Sequence, residues 1–593
     1  MKNNVPYKLI PVPTRSCKIC KSGDPVIPKE LYEVKNEKPE LCGFPLPLPS
    51  KKSDYTCCLK TGNVIWMGAS TGLTRYDPDA ENDAFSIMFF SADRDLPDNR
   101  VKALMADGDG IWALTETGAS YIEMPLISPE EKAAILLEES KKYVDRRGMY
   151  SQKRLGRAGD FSSVFSYGHS DNDGCFTAGF AIGEMYHYAV LKREKGADHP
   201  DTIAARQTAT RACEAVLLLM HIHGRGDGFV SRTYLCADEP VPDDGFFFRK
   251  TGGKAMLLET SASKERNIVG YTIDASAPIP ERLARLYTDL GYTDDDIVYK
   301  ADTSSDEITL HFLHLMTAHD ILGPDDKELD NLIKMSVKGL MDHIIDHGYE
   351  LWDFLNKPTT WAKWSAPYFE TAFGYVDACL NAAEVLMYHK VTMHILGEEK
   401  KYLDSYNHLI EIGYADLTEK HYDRMLQSAI AMNLHPYEDI MYGDHMLAVS
   451  SFYGLCLLEK DPVLLEKYRN GFKSWRTSIA REYNPGYDIP FAIACPDEEL
   501  DMDMLARWFY RFNLSRLAAG VSTTGRHDCA VLTHIAGYKE ISAVLTPDET
   551  FISKYDRNPL QQKDVDSGGL FCIESCYVYT FAYWMGRYYG LFE

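Results

Sequence analysis

The chain has 593 residues, of which 45% are hydrophobic and 12% aromatic, and 63 Lys and Arg against 87 Asp and Glu give a formal net charge of −24. This composition excludes a disordered chain, and the charge disfavours non-specific binding to nucleic acid or an anionic membrane, because those surfaces require a positive patch. The sequence has no run of about 18 apolar residues typical of a transmembrane helix, and its first residues lack the apolar core of a signal peptide, so we expect a cytoplasmic protein.

Residues 1–55 are rich in proline, lysine and cysteine and show no periodicity, which predicts an extended arm packed on the rest of the protein. Cys17 and Cys20 form a CxxC motif that is followed by Cys42. Zinc needs four thiolate or imidazole ligands, and a second CxxC is absent. We therefore expect free thiols here rather than a structural metal, and no other cofactor.

An internal repeat occupies residues 56–125. A Gly-rich turn followed by Ile-Trp occurs twice, so that Trp66 and Trp112 are 46 residues apart. A period in the forties is typical of β-propeller blades, and the segment resembles the propeller repeats of bacterial sensor proteins. Because only about one and a half units fit and a closed propeller needs at least about four blades, we predict a propeller-like sheet with its open edge buried on a neighbour.

From Ser128 onward the sequence is helical. Ser128, Pro129 and Glu131 supply an N-cap, a first-turn proline and a capping-box carboxylate. Apolar positions then recur with the helical period, and the connections 223–278 and 347–369 are unusually long. The predicted helices span 129–147, 174–195, 201–222, 280–290, 306–321, 326–346, 370–397, 402–413, 441–459, 463–482, 498–517 and 574–590.

Close to a dozen helices with alternating short and long connections predict a mainly α fold. We expect residues 126–593 to form an (α/α)6 barrel, a toroid of helical hairpins, behind the small β-rich segment. A helical-repeat solenoid is the alternative, which the lack of a fixed repeat disfavours. A toroid with a β-rich N-terminal part resembles several polysaccharide lyase and glycoside hydrolase families, and this resemblance implies a carbohydrate-active enzyme.

The first candidate site is the segment 167–174, directly before a predicted helix. In the simpler interpretation Asp171 or Asp173 caps that helix. A cap needs only one carboxylate, however, so the addition of Tyr167 and His169 indicates a sugar-binding or proton-transfer site.

The second candidate site is the helix start after Asp302. A capping box explains Glu307 by itself, but Glu307, His311 and His314 also share one helix face, which suits an acid–base relay or metal ligation. Asp306 adds a second carboxylate. The text DTSSDE at 302–307 is similar to that of bacterial L-rhamnose-α-1,4-D-glucuronate lyases. The resemblance implies β-elimination on a uronic acid, without assigning a catalytic residue.

The third candidate site is the loop 352–370, which holds three of the eight tryptophans. Packing is the simpler interpretation, but sugar C–H faces stack on indole rings, which indicates a glycan cleft. His445 is a further catalytic candidate. The predicted substrate-binding residues are Tyr167, Asp171, Arg225, Arg232, Trp352, Asp353, Trp361, Lys363, Trp364, Glu370, His435 and Tyr442.

Several common catalytic motifs are absent. The glycine-rich run 224–228 lacks the Lys-Ser/Thr of a P-loop, and the sequence has no GxSxG and no HExxH. These absences disfavour nucleotide binding, a serine hydrolase and a zinc protease.

We therefore expect an enzyme that cleaves an oligosaccharide. The first hypothesis is a lyase, in which a base removes the proton beside a uronate carboxylate while Arg or Lys neutralises it. The alternative is a glycoside hydrolase, and a non-catalytic glycan-binding protein or a sugar epimerase stays open. The exposed propeller-like segment suits homo-oligomer contacts. The carboxylates available to a hydrolase are Asp173, Asp306, Glu307, Asp353 and Glu370.

Overall fold

The computed structural model describes residues 6–593 except 42, 45–46, 82, 93, 168–170, 422–441, 518–522, 524, 534–538, 551–554, 556–558 and 561–568. The protein is 46% helical and 18% strand and contains several antiparallel sheets, so its class is mixed α/β. The predicted mainly α fold, a single (α/α)6 toroid with β structure confined to the N-terminal part, is therefore wrong. The long connections 223–278 and 347–369 contain strands, whose short apolar runs give no long periodic signal.

The helices of the described residues begin with a capping box at Ser128, as predicted. They are α1 Pro129–Tyr143, α2 Asp173–Lys195, α3 Pro200–Leu219, α4 Ser261–Glu265, α5 Glu281–Thr288, α6 Ser305–Ile321, α7 Lys327–Asp346, α8 Ala366–Phe369, α9 Ala372–Leu396, α10 Lys400–Glu411, α11 Tyr414–Thr418, α12 Tyr442–Leu458, α13 Pro462–Ile479, α14 Pro485–Ala494, α15 Met502–Tyr510 and α16 Tyr577–Tyr588.

The strands are short and pair antiparallel. They are β1 Val12–Pro13, β2 Ser16–Lys21, β3 Tyr55–Thr61, β4 Val64–Ala69, β5 Gly72–Tyr76, β6 Ile87–Phe90, β7 Ala103–Asp107, β8 Gly110–Leu114, β9 Gly118–Glu123, β10 Leu126–Ile127, β11 Gln152–Leu155, β12 Val164–Tyr167, β13 Tyr234–Cys236, β14 Phe247–Thr251, β15 Lys254–Leu257, β16 Thr272–Asp274, β17 Ile297–Lys300, β18 Glu350–Trp352, β19 Pro358–Lys363, β20 Val531–Thr533, β21 Lys539–Ile541 and β22 Cys572–Glu574.

The strands β2 to β9 form two four-stranded sheets in the orders β3-β4-β5-β6 and β2-β9-β8-β7, which we call the β module. The repeated tryptophans, Trp66 and Trp112, lie at equivalent places in β4 and β8 and are both buried. Strand β2 comes from the region that we expected to be an extended arm. The core of the module also includes Tyr510 of α15, whose ring lies 5.7 Å from that of Phe85, so the module packs on the helical part.

Among the described helices, six pack side by side in a closed circuit: α2 contacts α6, α6 contacts α9, α9 contacts α12, α12 contacts α14, α14 contacts α16 and α16 contacts α2. Helices α6 and α9 run parallel. Thr309 bonds to Glu384 and, ten residues further along both helices, the ring of His319 lies 5.8 Å from that of His394.

Helix α2 runs parallel to α6 and to α16. Two glycines allow these helices to approach closely: a Cβ on Gly174 would meet the Glu307 carboxyl, and one on Gly183 would lie 2.9 Å from the Phe581 backbone. Further along α2, His187 stacks on Trp584 at 4.1 Å. The N termini of α2, α6, α9 and α16 therefore face the same side of the protein.

A five-stranded sheet, β13-β17-β14-β15-β16, is inserted between α3 and α6. The first residue of β13 pairs with the end of β17, with Tyr234 opposite Tyr299. The N–H of Lys300 also donates to the carbonyl of Thr233 at 3.1 Å. This pairing brings the segment before β13 next to the segment that leads into α6.

Buried ion pairs join the β module to the C-terminal part. The Glu549 carboxylate accepts from Arg511 at 2.5 Å, from Arg526 at 2.8 Å and from the Phe89 N–H at 2.9 Å. Arg15 of the β module pairs with the neighbouring Asp548 at 2.8 Å. Burial would raise the pKa of Glu549, but the charges of the three arginines hold it below its usual value.

We predict that Glu549→Gln lowers the free energy of unfolding by about 3–5 kcal/mol at pH 7, because it leaves buried arginines without their partner. The pKa of Glu549 is lowered on folding, so its contribution is present above the unfolded value near 4.5 and is lost as the pH falls below it. Urea unfolding at pH 7 and pH 3 measures the difference. Glu116→Gln, which removes an exposed partner of Arg100, should leave the melting temperature unchanged; equal effects of the two substitutions would contradict the prediction.

Candidate functional site

Four carboxylates from distant parts of the chain meet at the N-terminal ends of α2 and α6. Asp171 precedes α2, Asp244 precedes β14, and Asp302 and Asp306 lie before and within the first turn of α6. We call these four side chains the acidic mouth. The pairing of β14 with β17, in which Phe247 lies opposite Lys300, brings Asp244 next to the segment of Asp302.

Two cations hold the acidic mouth together. The Nζ of Lys300 lies 2.5 Å from Asp171, 2.8 Å from Asp244 and 3.6 Å from Asp302. The Arg232 guanidinium lies 3.6 Å from Asp302 and 3.4 Å from Asp306. Asp302 is therefore shared by both cations.

The cations lie beneath the carboxylates. The side chains of Lys300 and Arg232 are 2% and 9% exposed, whereas those of the four carboxylates are 24% to 56% exposed. The solvent-exposed surface of the mouth therefore consists of the four carboxylates, with the two cations beneath them, and this surface is negatively charged.

The pKa shifts of Asp302 and Lys300 follow from their depth and from the charges around them. Burial raises the pKa of Asp302, although Arg232 and Lys300 oppose the shift. Burial would lower the pKa of Lys300, but Asp302 and Asp244 raise it instead. Asp302 therefore keeps its proton to a higher pH than a free aspartate, beside cations that stay charged.

Asp173, a predicted catalytic residue, lies under the mouth rather than in it. Its carboxylate is 1% exposed and accepts from Arg146 and from the Thr233 hydroxyl, both at 2.5 Å. These bonds fix the start of α2 against β13, so Asp173 serves the structure around the mouth.

The predicted relay on α6 is also buried. Glu307, His311 and His314 are fully buried, and the Glu307 carboxyl lies 2.9 Å from Nε2 of His311. Burial raises the pKa of Glu307 well above its usual value and lowers those of His311 and His314 to about 3. Burial therefore disfavours the charged form of all three side chains, which lie out of reach of a substrate.

The three tryptophans of the loop 352–370 have different surroundings. Trp364 is fully buried and donates to Glu384 at 2.8 Å, whereas Trp352 is half-buried and lies 4.6 Å from the ring of His347. Trp361 in β19 is 56% exposed. Of these three indoles, Trp361 presents the largest face to a ligand.

The other predicted residues of this loop differ in their surroundings. Burial raises the pKa of Asp353, whereas its bonds within the turn to Leu355 and Lys357 lower it. The Nζ of Lys363 lies 5.6 Å from the centre of the Tyr368 ring, and Glu370 is exposed.

The remaining predicted residues that the structure describes are largely engaged elsewhere. Arg225 pairs with Asp227 at 2.6 Å. His445 is buried and bonds to the Ser478 hydroxyl at 2.8 Å, and Tyr442 donates to Glu482. Tyr167 is half-buried, with Lys153 5.7 Å from its ring. His169, His435 and Cys42 lie outside the described residues.

Sequence reasoning missed Asp244, Lys300, Asp302 and Glu384. Glu384 carried a signal, since it is a single carboxylate in an apolar stretch of α9. Lys300 directly follows three apolar residues of β17, a pattern typical of a strand end, and its role depends on partners far away in sequence.

Within the described residues, no group of three or more His, Cys, Asp or Glu side chains is arranged to hold a metal ion. Cys17 and Cys20 are three apart in β2 and therefore point to opposite faces of the sheet. They belong to different hydrophobic clusters, so they do not converge on one ion.

Over the same part of the chain, no helix has both the length and the apolar character needed to cross a bilayer. A scan against protein-family models and a search of curated proteins found no match to this sequence.

We predict that Lys300→Met destabilises the protein by about 3–5 kcal/mol at pH 7, because it removes the buried cation that three carboxyl groups share. The loss should shrink toward pH 4, as Asp302 becomes protonated. Thermal unfolding across this pH range measures the effect.

Lys250→Met is the matched control for this prediction. Lys250 is equally buried, but its nearest carboxylate is the exposed Asp294 at 3.7 Å, and burial lowers its pKa. Its removal should cost less and show no weakening toward pH 4. A similar loss for both lysines at every pH would refute the role of Lys300.

Proposed function

We propose that the protein is a glycoside hydrolase that cleaves an oligosaccharide with two carboxyl groups of the acidic mouth. The observation that carries the proposal is the pair formed by Asp302 and Asp306 around the Arg232 guanidinium. Both side chains are partly exposed, so both can touch a substrate.

The two carboxyl groups have the different surroundings that glycosidases require. One carboxyl must donate a proton to the leaving oxygen, while the other, ionised, activates water or attacks the sugar. Asp302, whose pKa burial raises, suits the acid. Asp306, which is more exposed and bonds to Arg232 at 3.4 Å, suits the base or nucleophile.

The charge of the mouth favours hydrolysis over β-elimination. A lyase needs a cation that faces the uronate carboxylate. Lys300 and Arg232 are already surrounded by carboxylates and lie beneath them. A uronic acid would meet a negative surface, whereas a neutral sugar would not be repelled.

Exposed aromatic rings in β19, which contacts α6, and at the start of α9 support a sugar ligand. Phe373 is 76% exposed and Tyr375 41% exposed in the first turns of α9, and Trp361 is exposed in β19. Sugar rings present C–H faces that stack on such side chains while their hydroxyls bond to carboxylates. These residues are the expected binding surface beside the carboxyl pair.

A panel of neutral and uronic-acid oligosaccharides tests the proposal. New reducing ends without ultraviolet absorbance of an unsaturated uronate would support hydrolysis. Appearance of that absorbance would support the lyase of the sequence analysis instead. Binding of a glycan without cleavage would favour a non-catalytic protein, and a change of sugar configuration without cleavage would favour an epimerase.

We predict that Asp306→Asn and Asp302→Asn each lower kcat on a cleaved oligosaccharide by roughly 10²- to 10⁴-fold, the usual effect of removing a catalytic acid or base. Asp342→Asn is the control, because Asp342 of α7 pairs with Lys338 and Lys401 on an outer helix. Its kcat should equal that of the wild type. Full activity of Asp306→Asn would exclude the proposed pair.

We predict that Trp361→Ala raises KM several-fold and changes kcat little, because a stacking face contributes to binding rather than to proton transfer. The side chain is 56% exposed, so the fold should tolerate the change. Trp361→Phe, which keeps an aromatic face, should restore most of the affinity. An unchanged KM in the alanine variant would remove Trp361 from the binding surface.

A further inference from the structure

Glu384 lies at the centre of a buried polar group below the acidic mouth. Its side chain is fully buried between α6 and α9. One carboxyl oxygen accepts from the indole N–H of Trp364 at 2.8 Å, and the other lies 3.0 Å from the Thr309 hydroxyl. The hydroxyl of Tyr388 lies 2.6 Å from the same Thr309 oxygen.

The number of hydroxyl protons available to these side chains indicates which oxygen atoms carry them. The Thr309 hydroxyl has a single proton, and the Ser305 carbonyl, 2.8 Å away, can only accept one. When Thr309 donates to Ser305, its oxygen must accept from both Tyr388 and Glu384. In that case the contacts of Thr309 with Ser305, Tyr388 and Glu384 can all be hydrogen bonds only under one condition. Glu384 must be a protonated carboxylic acid, and its O–H must donate to the Thr309 oxygen.

The surrounding charges favour the same state. A buried carboxylate needs a cation or several strong donors, and the bonding partners of Glu384 are neutral side chains. The charged groups that act on it are Asp444 on α12 and Asp306 on α6, both negative. Burial is the largest effect, and together these raise the pKa of Glu384 to about 8.

Trp364 follows strand β19, and α9 and α11 anchor it. The Trp364 carbonyl accepts from the Tyr414 hydroxyl at 2.6 Å, and the carbonyl of Lys363 accepts from Asn381 at 2.8 Å. The exposed Trp361 comes three residues earlier. The Glu384 bonds therefore connect the end of this strand to the helix that carries Asp306.

We propose that Glu384 is a positioning residue of the active site, which acts as a carboxylic acid that ties the strand bearing Trp361 to helix α6 and its Asp306. This proposal rests on the function proposed above for Asp306 and Trp361. Loss of the proton removes the O–H that donates to Thr309, so Thr309 can then bond to the carboxylate only by giving up its bond to the Ser305 carbonyl. The new negative charge is also opposed by Asp444 and Asp306. The link between the strand and α6 then weakens.

The first experiment follows the indole N–H signals of the tryptophans by ¹⁵N NMR from pH 6 to pH 10, without any substrate. Trp364→Phe identifies the signal of Trp364. In the wild type this signal should shift with a midpoint near pH 8, because burial raises the pKa of Glu384 to about 8. In Glu384→Gln it should not shift, because the amide keeps one donor and one acceptor at every pH.

Glu482→Gln is the matched control. Glu482 is also buried, it accepts from Tyr442, and burial raises its pKa to about 8 as well. Because Trp364 bonds to Glu384 and not to Glu482, the Trp364 signal should still titrate in this variant. A Trp364 signal that is constant in the wild type, or that titrates unchanged in Glu384→Gln, would overturn the proposal.

Stability supplies a second readout. A pKa raised on folding means that the contribution of Glu384 is present below the unfolded value near 4.5 and is lost as the pH rises through about 8. Glu384→Gln should therefore match the wild type in melting temperature at pH 4.5 and exceed it at pH 9. Equal effects of the substitution at both pH values would overturn the assignment of the proton.

The role in positioning needs an activity readout on any oligosaccharide that the protein cleaves. In the wild type the rate should fall with a midpoint near pH 8, and in Glu384→Gln this fall should be absent when each profile is scaled to its own maximum. Glu384→Leu, which can bond neither Thr309 nor Trp364, should lower kcat at every pH. An unchanged alkaline limb in Glu384→Gln would reject the positioning role, whereas lack of any cleavage would reject only the proposed function and leave the NMR result standing.

Discussion

A buried ammonium group must be surrounded by negative charge, and Lys300 meets this requirement with carboxylates from three separate segments. Asp171 lies at the entrance to α2, Asp244 before β14 and Asp302 before α6. The side chain of Lys300 cannot reach all three unless β17 lies between these segments. One cation at the end of a buried strand thus fixes the relative positions of the inserted sheet and the starts of two core helices.

The protein satisfies the same constraint on buried charge in two opposite ways. Where the β module meets the C-terminal part, Glu549 is ionised because Arg511 and Arg526 surround it. In the core, Glu307 and Glu384 have neutral hydrogen-bond partners, so burial raises their pKa and favours the protonated acids. The first arrangement joins two parts of the chain through charge, and the second favours the uncharged form of two buried carboxyl groups.

The local part of the fold could be predicted from the sequence. The capping box at Ser128 is present, and the helices predicted at 174–195 and 306–321 form as Asp173–Lys195 and Ser305–Ile321. The fold class could not be predicted from the sequence, because strands of three to five residues leave no periodic signal. In addition, β13 pairs with β17, which lies about 60 residues further along the chain.

The site could be predicted only in part for a related reason. Asp171 and Asp306 lie in polar sequence segments at the starts of helices, and both belong to the acidic mouth. Glu307 and His311 occur in the same sequence segment but face the core. Their i, i+4 spacing predicts that they share a helix face, but it does not predict whether that face points to the core or to solvent. The burial of that face depends on α2, whose Gly174 packs against the Glu307 carboxyl.

The position of the cations beneath the mouth has a chemical consequence for the two carboxyl groups above them. Arg232 forms ion pairs with both Asp302 and Asp306, but Asp302 is the less exposed and also pairs with Lys300, which it shares with Asp244. Burial and the neighbouring carboxylates favour the protonated form of Asp302, whereas the more exposed Asp306 keeps its bond to the guanidinium. The buried layer of positive charge therefore does not cancel the effect of depth and of carboxylate neighbours on Asp302.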